Sequence, residues 1–150
     1  FMKTQRLIAS AIGWLVLTLG TAAGLAADEK EKGTPEAPAS AKAVAGAYYR
    51  GDGLGDNALL TLDENGKYAA EWYGCLGKYG EELGTWSLRD NRIALKSSEE
   101  DKVKGYRESF DVLRFKGDWI LVSTEKRAHK VYEKWGVTGR SCFQKRDRIK

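Results

Sequence analysis

From Gly46 onward apolar and polar side chains change places every second residue, the period of a strand with one face in a core and the other in water. Asn57 to Leu62 sets Ala58, Leu60 and Leu62 on one face. Lys67 to Tyr73 sets Tyr68, Ala70 and Trp72 against Lys67, Ala69, Glu71 and Tyr73. Between these runs Asp63-Glu64-Asn65-Gly66 supplies residues that tolerate the positive φ of a hairpin turn. Gly46 to Arg50 reads as a short strand ahead of them. Gly84 to Leu88 and Arg92 to Lys96, with Ile93 and Leu95 inward, read as a second hairpin about Arg89-Asp90-Asn91. Gly74 to Leu83 is expected as a glycine-rich loop, and the charged Ser97 to Gly105 as another.

Glu108 to Phe115 is a longer strand whose inward parity changes between Val112 and Leu113, which predicts a β-bulge there. Lys116-Gly117-Asp118 turns it back into Trp119 to Ser123, a nearly continuous apolar run expected at the centre of the sheet. Between Glu125 and Trp135 the period lengthens. Ala128, Val131, Tyr132 and Trp135 fall on one helical face, and Gly136 is placed to end the helix. Ser141 to Arg146 is expected as a closing strand, and Lys145 to Lys150 as a basic, fraying tail. Together these elements predict a mainly β domain, a small antiparallel up-and-down barrel of seven or eight strands with one late α-helix. Closure would remove the open strand edges that invite aggregation.

The first 45 residues follow different rules. Met2-Lys3-Thr4-Gln5-Arg6 is a short basic start, Leu7 to Gly24 an apolar run, and Ala26-Ala27 a small-residue end. This layout predicts a signal peptide over 1–27, and so a periplasmic or secreted protein; an uncleaved membrane anchor is the alternative. No cysteine follows the cleavage site, so no lipid anchor is expected, nor any stable membrane attachment after cleavage. Asp28 to Ala45 is rich in Glu, Lys, Ala and Pro without apolar periodicity, and is expected as a disordered linker. The folded domain is then 46–147. The 150 residues carry a formal net charge of +4, to which Lys3 and Arg6 contribute two positive charges. The remainder is too small a bias to predict nucleic-acid binding.

The G-x-Y-Y of Gly46 to Tyr49, the Leu60-x-Leu62 strand end, the D-x-N-G-x-Y hairpin, Gly84-Thr85-Trp86 and Ile93-x-Leu95 resemble bacterial extracytoplasmic lipocalin-like domains. The segments GDGLGDN (51–57), WYGCLGKYG (72–80) and GTW are similar to a group of uncharacterised exported bacterial proteins of that kind. The resemblance spans about Gly46 to Lys96 and implies a lipocalin-like fold rather than an activity. The chain also resembles, more weakly, the N-terminal domain of envelope-stress copper-homeostasis lipoproteins, although their anchoring cysteine and paired-cysteine metal motif are missing here.

Candidate chemistry is sparse. Gly51-Asp52-Gly53-Leu54-Gly55 has the composition of a phosphate-cradling loop, but a strand rather than a helix follows it. Asp52 and Asp56 could share a calcium ion, yet their spacing matches no EF-hand. His129 is the only histidine and sits among Arg127, Lys130 and Lys134, where solvation is the expected role. Glu81-Glu82 and Glu99-Glu100-Asp101 have the residue types of a glycosidase pair, though such runs are common on soluble loops. Trp72, Trp86 and Trp119 fall at inward positions, which favours core packing over carbohydrate stacking. A disulfide between Cys75 and Cys142 is expected in an oxidising compartment and would add roughly 4 kcal/mol at most; buried free thiols, or a reactive Cys75 activated by Lys78, are the alternatives.

These readings predict a non-catalytic exported binding module without a cofactor or bound metal. Its partner would be a small hydrophobic molecule or an envelope protein. The candidate binding loops carry Asp52 and Asp56 on one side and Lys78 and Tyr79 on the other. The alternatives are an inhibitor of an envelope hydrolase acting through Gly74 to Gly84 and, last, an enzyme of unknown type. A small-ligand reading needs a hollow barrel, whereas an inhibitor needs an exposed projecting tip.

Overall fold

The computed structural model describes residues 30–98 and 109–146. The expected signal segment, Asp28, the run Glu99-Glu100-Asp101 and the last four residues of the tail lie outside the described residues. The elements in chain order are β1 (Thr34–Pro35), α1 (Ala41–Val44), β2 (Gly46–Arg50), β3 (Asn57–Leu62), β4 (Lys67–Gly74) and β5 (Gly77–Arg89). β6 (Arg92–Ser97), β7 (Ser109–Phe115), β8 (Asp118–Ser123), α2 (Lys126–Trp135) and β9 (Phe143–Lys145) complete them.

Strands β2 to β9 each pair antiparallel with the next, and β9 pairs back onto β2, so the meander closes into an eight-stranded barrel. The expected barrel with one late helix is therefore the observed fold. Alternation does the work it predicted: Ala58, Leu60 and Leu62 of β3 and Tyr68, Ala70 and Trp72 of β4 are all buried. They meet across the barrel with Tyr48, Trp86, Phe110 and Trp119 in one continuous cluster. An eight-stranded barrel is just wide enough for side chains to fill it or for one small ligand. Here large aromatic residues fill it, with Trp72, Trp86 and Trp119 only 6, 6 and 7 % exposed.

Three expectations about local structure are corrected. No bulge interrupts β7, because its register with β8 runs unbroken from Phe110–Ser123 to Phe115–Asp118. Val112 faces the barrel core, while Leu113 faces outward and is buried with Ile120, Val122, Tyr132 and Cys142 in a second cluster. The change of parity that mimics a bulge is thus a strand buried on both faces, and β8 is apolar throughout for the same reason. Secondly, Gly74 to Leu83 is not a loop. Only Cys75 and Leu76 turn the chain, and Gly77 onward is strand β5, paired with β4 from Tyr68–Gly84 up to Gly74–Gly77. The register slips between Trp72 and Tyr73, which pair with Gly80 and Lys78, so the bulged residue is Tyr79.

The third correction concerns the linker. Its described part is laid against the barrel: β1 pairs with the half of β7 that β6 leaves, at Thr34–Arg114 and Pro35–Leu113. The Gly33 N–H donates to the Tyr132 hydroxyl at 2.8 Å, and the Val137 N–H donates to the Glu31 carbonyl at 2.9 Å. Further on, Val44 is wholly buried and its carbonyl accepts the Tyr48 hydroxyl at 2.5 Å. Backbone hydrogen bonds and single buried side chains hold this segment, and neither produces a hydrophobic period.

Helix α2 begins where the Glu125 carboxylate accepts the Ala128 N–H at 2.8 Å. It ends at Gly136, whose φ of 65° lies in the left-handed region and whose N–H donates to the Tyr132 carbonyl. Since β8 is covered inside by the barrel core and outside by this helix, Ile120→Ala and Leu121→Ala should each destabilise the protein by about 2–5 kcal/mol. Urea midpoints measure this. A near-neutral Ile120→Ala would mean that the outer face of β8 is wet.

Candidate functional site

The loop after β2 is organised by short polar side chains. Gly51 is buried and its N–H donates to the Gly139 carbonyl at 2.6 Å, which joins the β2–β3 loop to the α2–β9 loop, backbone to backbone. The Asp52 carboxylate accepts the N–H groups of Leu54 at 2.8 Å and Gly55 at 3.1 Å, an Asx-type turn. Its other oxygen takes the Arg140 guanidinium. Those backbone donors, and then Arg140, hold the Asp52 carboxyl well below the usual carboxylate range. Asn57 fastens the far end, its side-chain oxygen accepting the Gly53 N–H at 2.9 Å and the Tyr49 hydroxyl. A glycine-rich stretch is thereby tied into a platform.

Facing this platform is one side of α2, and an open groove lies between them. One part, of about 550 Å³, is bordered by Arg50, Asp56, Arg127, Ala128 and Ser141. A second part of about 590 Å³ continues past Val131 to Trp135, Thr138 and Gly139. Gly51, Asp52, Val131 and Arg140 border both. Val131 and Trp135 stand one helical turn apart and are 38 and 49 % exposed, so the groove has an apolar strip along its helical wall. Arg50 extends over the Phe143 ring, its guanidinium carbon 5.2 Å from the ring centre.

The four residues expected in binding loops divide. Asp52 and Asp56 border the groove. Lys78 and Tyr79 do not. Lys78 lies between two carboxylates on the outer face of the β4–β5 hairpin, 2.7 Å from Glu71 and 2.6 Å from Glu81. Glu71 and Glu81 are direct cross-strand partners, so the lysine relieves a like-charge pair. Its ammonium pKa is pushed up by both carboxylates, and the Glu71 carboxyl is pulled down by Lys78 and Tyr73. The two expected loops do touch: the Cys75 thiol donates to the Leu54 carbonyl at 2.8 Å.

The expected disulfide is absent. Cys75 is exposed at the hairpin turn, whereas Cys142 is buried beneath α2, and both are free thiols. Two cysteines in an exported chain allow one bridge, but the fold sends them to different surroundings. Burial pushes the Cys142 thiol up to about 11, so it stays protonated and inert at neutral pH. Nor can Glu81 and Glu82 act as an acid pair, since neighbours on a strand point to opposite faces. Glu81 pairs with Lys78 outside, while Glu82 is 4 % exposed and accepts the Tyr68 hydroxyl at 2.5 Å. His129 lies on the helix surface near the Ser123 carbonyl and Glu133.

Sequence reasoning missed the three arginines of the groove. They stand at 50, 127 and 140, on a strand end, a helix and a loop, and no local pattern links them. Among the described residues no three His, Cys, Asp or Glu side chains gather as a metal site, and no helix is long and apolar enough to cross a membrane. No family model, curated protein or solved structure matches the chain.

Two outcomes follow from this geometry. A Cβ added at Gly51 would come within 2.3 Å of the Asn57 side-chain oxygen, so Gly51→Ala should lower stability by about 1–3 kcal/mol, read as a drop in melting temperature. In the native protein a thiol reagent should modify Cys75 alone, and Cys142 only after denaturant is added. Reduction should leave the melting temperature unchanged; a marked fall would restore the bridge.

Proposed function

We propose that this protein is a non-catalytic binding module, and that its ligand sits in the groove between the Gly51–Asp56 loop and α2 rather than inside the barrel. One observation carries the reading. The interior is occupied by Trp72, Trp86, Trp119 and their neighbours, while the open volume lies outside, against Val131 and the Asp52–Arg140 pair. Concave space with an apolar wall and a few oriented polar groups is the usual form of a small-molecule site. The Ser141 and Thr138 hydroxyls that border the groove are already engaged, Ser141 donating to the Gly136 carbonyl at 2.6 Å and Thr138 to Ser141 at 3.0 Å. That supports binding over catalysis. Export to the periplasm or beyond, expected from the first 27 residues, is part of the same proposal.

A second reading has an observation of its own. At the β4–β5 turn Leu76 is fully exposed, beside Leu54 and Tyr79, which are 75 and 62 % exposed. A tip of this kind suits a protein partner, including the envelope hydrolase of the inhibitor reading.

Native mass spectrometry of the protein taken from its own host separates the two. Val131→Trp should fill the groove and remove a co-purifying small molecule while leaving the melting temperature within a few degrees of the parent. Retention of that molecule in the variant would place it elsewhere. If instead the parent carries no small molecule, and a partner protein is lost on Leu76→Ser, the groove reading gives way to the tip.

A further inference from the structure

The charges bordering the groove do not cancel. Arg140 is matched by Asp52, which leaves Arg50 and Arg127 facing Asp56 alone among the bordering ionised groups. Among the described residues, neither Arg50 nor Arg127 has a carboxylate partner. Arg50 is half-buried, borders the groove and has its guanidinium held over the Phe143 ring. Arg127 reaches the same end of the groove from the first turn of α2. At the other end Val131, Trp135, Thr138 and Gly139 join the matched Asp52–Arg140 pair along the border, and the ammonium groups of Lys30 and Lys134 lie 4.0 and 4.8 Å from the centre of the Trp135 ring. The arginines without a carboxylate partner on the groove border therefore stand at one end, and its exposed apolar side chains, Val131 and Trp135, run along the helical wall toward the other.

Resting on the groove reading above, we infer that the ligand is a small amphipathic anion, its carboxylate or phosphate held by Arg50 and Arg127 and its apolar body laid along Val131 and Trp135. Guanidinium groups bind either oxyanion through paired charge-assisted hydrogen bonds, the strongest a side chain offers. The apolar strip supplies area that a bare inorganic ion would not use. Asp56 opposes the anion from across the groove. It lowers affinity for any anion bound there.

Four probes test this on the full chain: naphthoate, naphthyl phosphate, the uncharged naphthalenemethanol, and inorganic phosphate. Binding is followed by calorimetry and by the NMR signal of the Trp135 indole, assigned with Trp135→Phe. At least one of the two anionic naphthyl probes should bind and move the Trp135 signal, and which of them binds more tightly distinguishes a carboxylate ligand from a phosphate. Arg127→Gln and Arg50→Gln should each weaken it about tenfold, the value of one lost charge-assisted hydrogen bond. Arg50→Lys, which keeps the charge but not the fork, should recover only part of that loss. Asp56→Asn should tighten binding several-fold, and added salt should weaken it. Naphthalenemethanol binding as tightly as the anions would overturn the inference while leaving the groove reading intact. Inorganic phosphate binding as tightly as the naphthyl probes would overturn the apolar half. No movement of Trp135 by any probe would overturn the inference as a whole, with the groove reading still judged separately by Val131→Trp.

Discussion

Three residues close this barrel. Phe143 pairs with Leu121, Gln144 with both Ile120 and Tyr49, and Lys145 with Tyr48, so among the described residues β9 is the seam between β2 and β8. Its hold comes from burial more than from ladder length. Phe143 is 2 % exposed and meets Phe110 edge to face at 5.6 Å, inside the cluster that fills the barrel. Without this seam the barrel would be an open sheet with two long edges, and the inner aromatics would lose the wall they pack against.

The seam also determines where free space can exist. Helix α2 lies in the connection between β8 and β9, so closing the barrel draws the helix against the outer face of β7 and β8. There it buries Ile120, Val122 and Leu113 under Tyr132. The chain must then return past Gly139 to reach β9, and this return brings it against Gly51 at the mouth of β2. The groove is the gap left between a helix docked outside and a loop welded at its end. The N-terminal strap reinforces the docking, since residues 31 and 33 hydrogen-bond to the end of α2 and to Tyr132 while β1 pairs with β7. A barrel filled by its own side chains thus carries its concave surface on the outside, where helix and loop are attached.

Polar side chains settle the remaining geometry in two ways. Around the groove, Asp52 and Asn57 spend their acceptors on loop N–H groups and so keep a six-residue glycine-rich turn in one shape. On the outer face of the β4–β5 hairpin, Lys78 neutralises the cross-strand Glu71 and Glu81. The same residue types thus serve rigidity in one place and charge relief in the other. Among the described residues bordering the groove, Arg50 and Arg127 keep no carboxylate partner.

Much of the architecture was legible along the chain because a strand with one wet face writes its geometry every second residue: β3, β4, β6 and the inward tryptophans could be named, and α2 with its Gly136 stop was visible as a change of period. Where both faces are covered that code disappears, which is why the two-sided burial of β7 read as a bulge. Glycine-rich composition hid the first half of β5, since Gly77 and Gly80 pair as strand residues without contributing to an alternation, while its second half from Gly84 was visible. The strap from residue 30 was hidden because backbone pairing carries no side-chain signature. The thiols show the limit most plainly, for composition and compartment predicted a bridge, while only the fold placed Cys142 under a helix and Cys75 on an exposed turn. The groove belongs to the same class. Asp52 and Asp56 were visible as neighbours in one turn, but Arg50, Arg127 and Arg140 meet only because closure through β9 brings a strand end, a helix and a return loop to one place, and residues that far apart in sequence share no periodicity that could announce it.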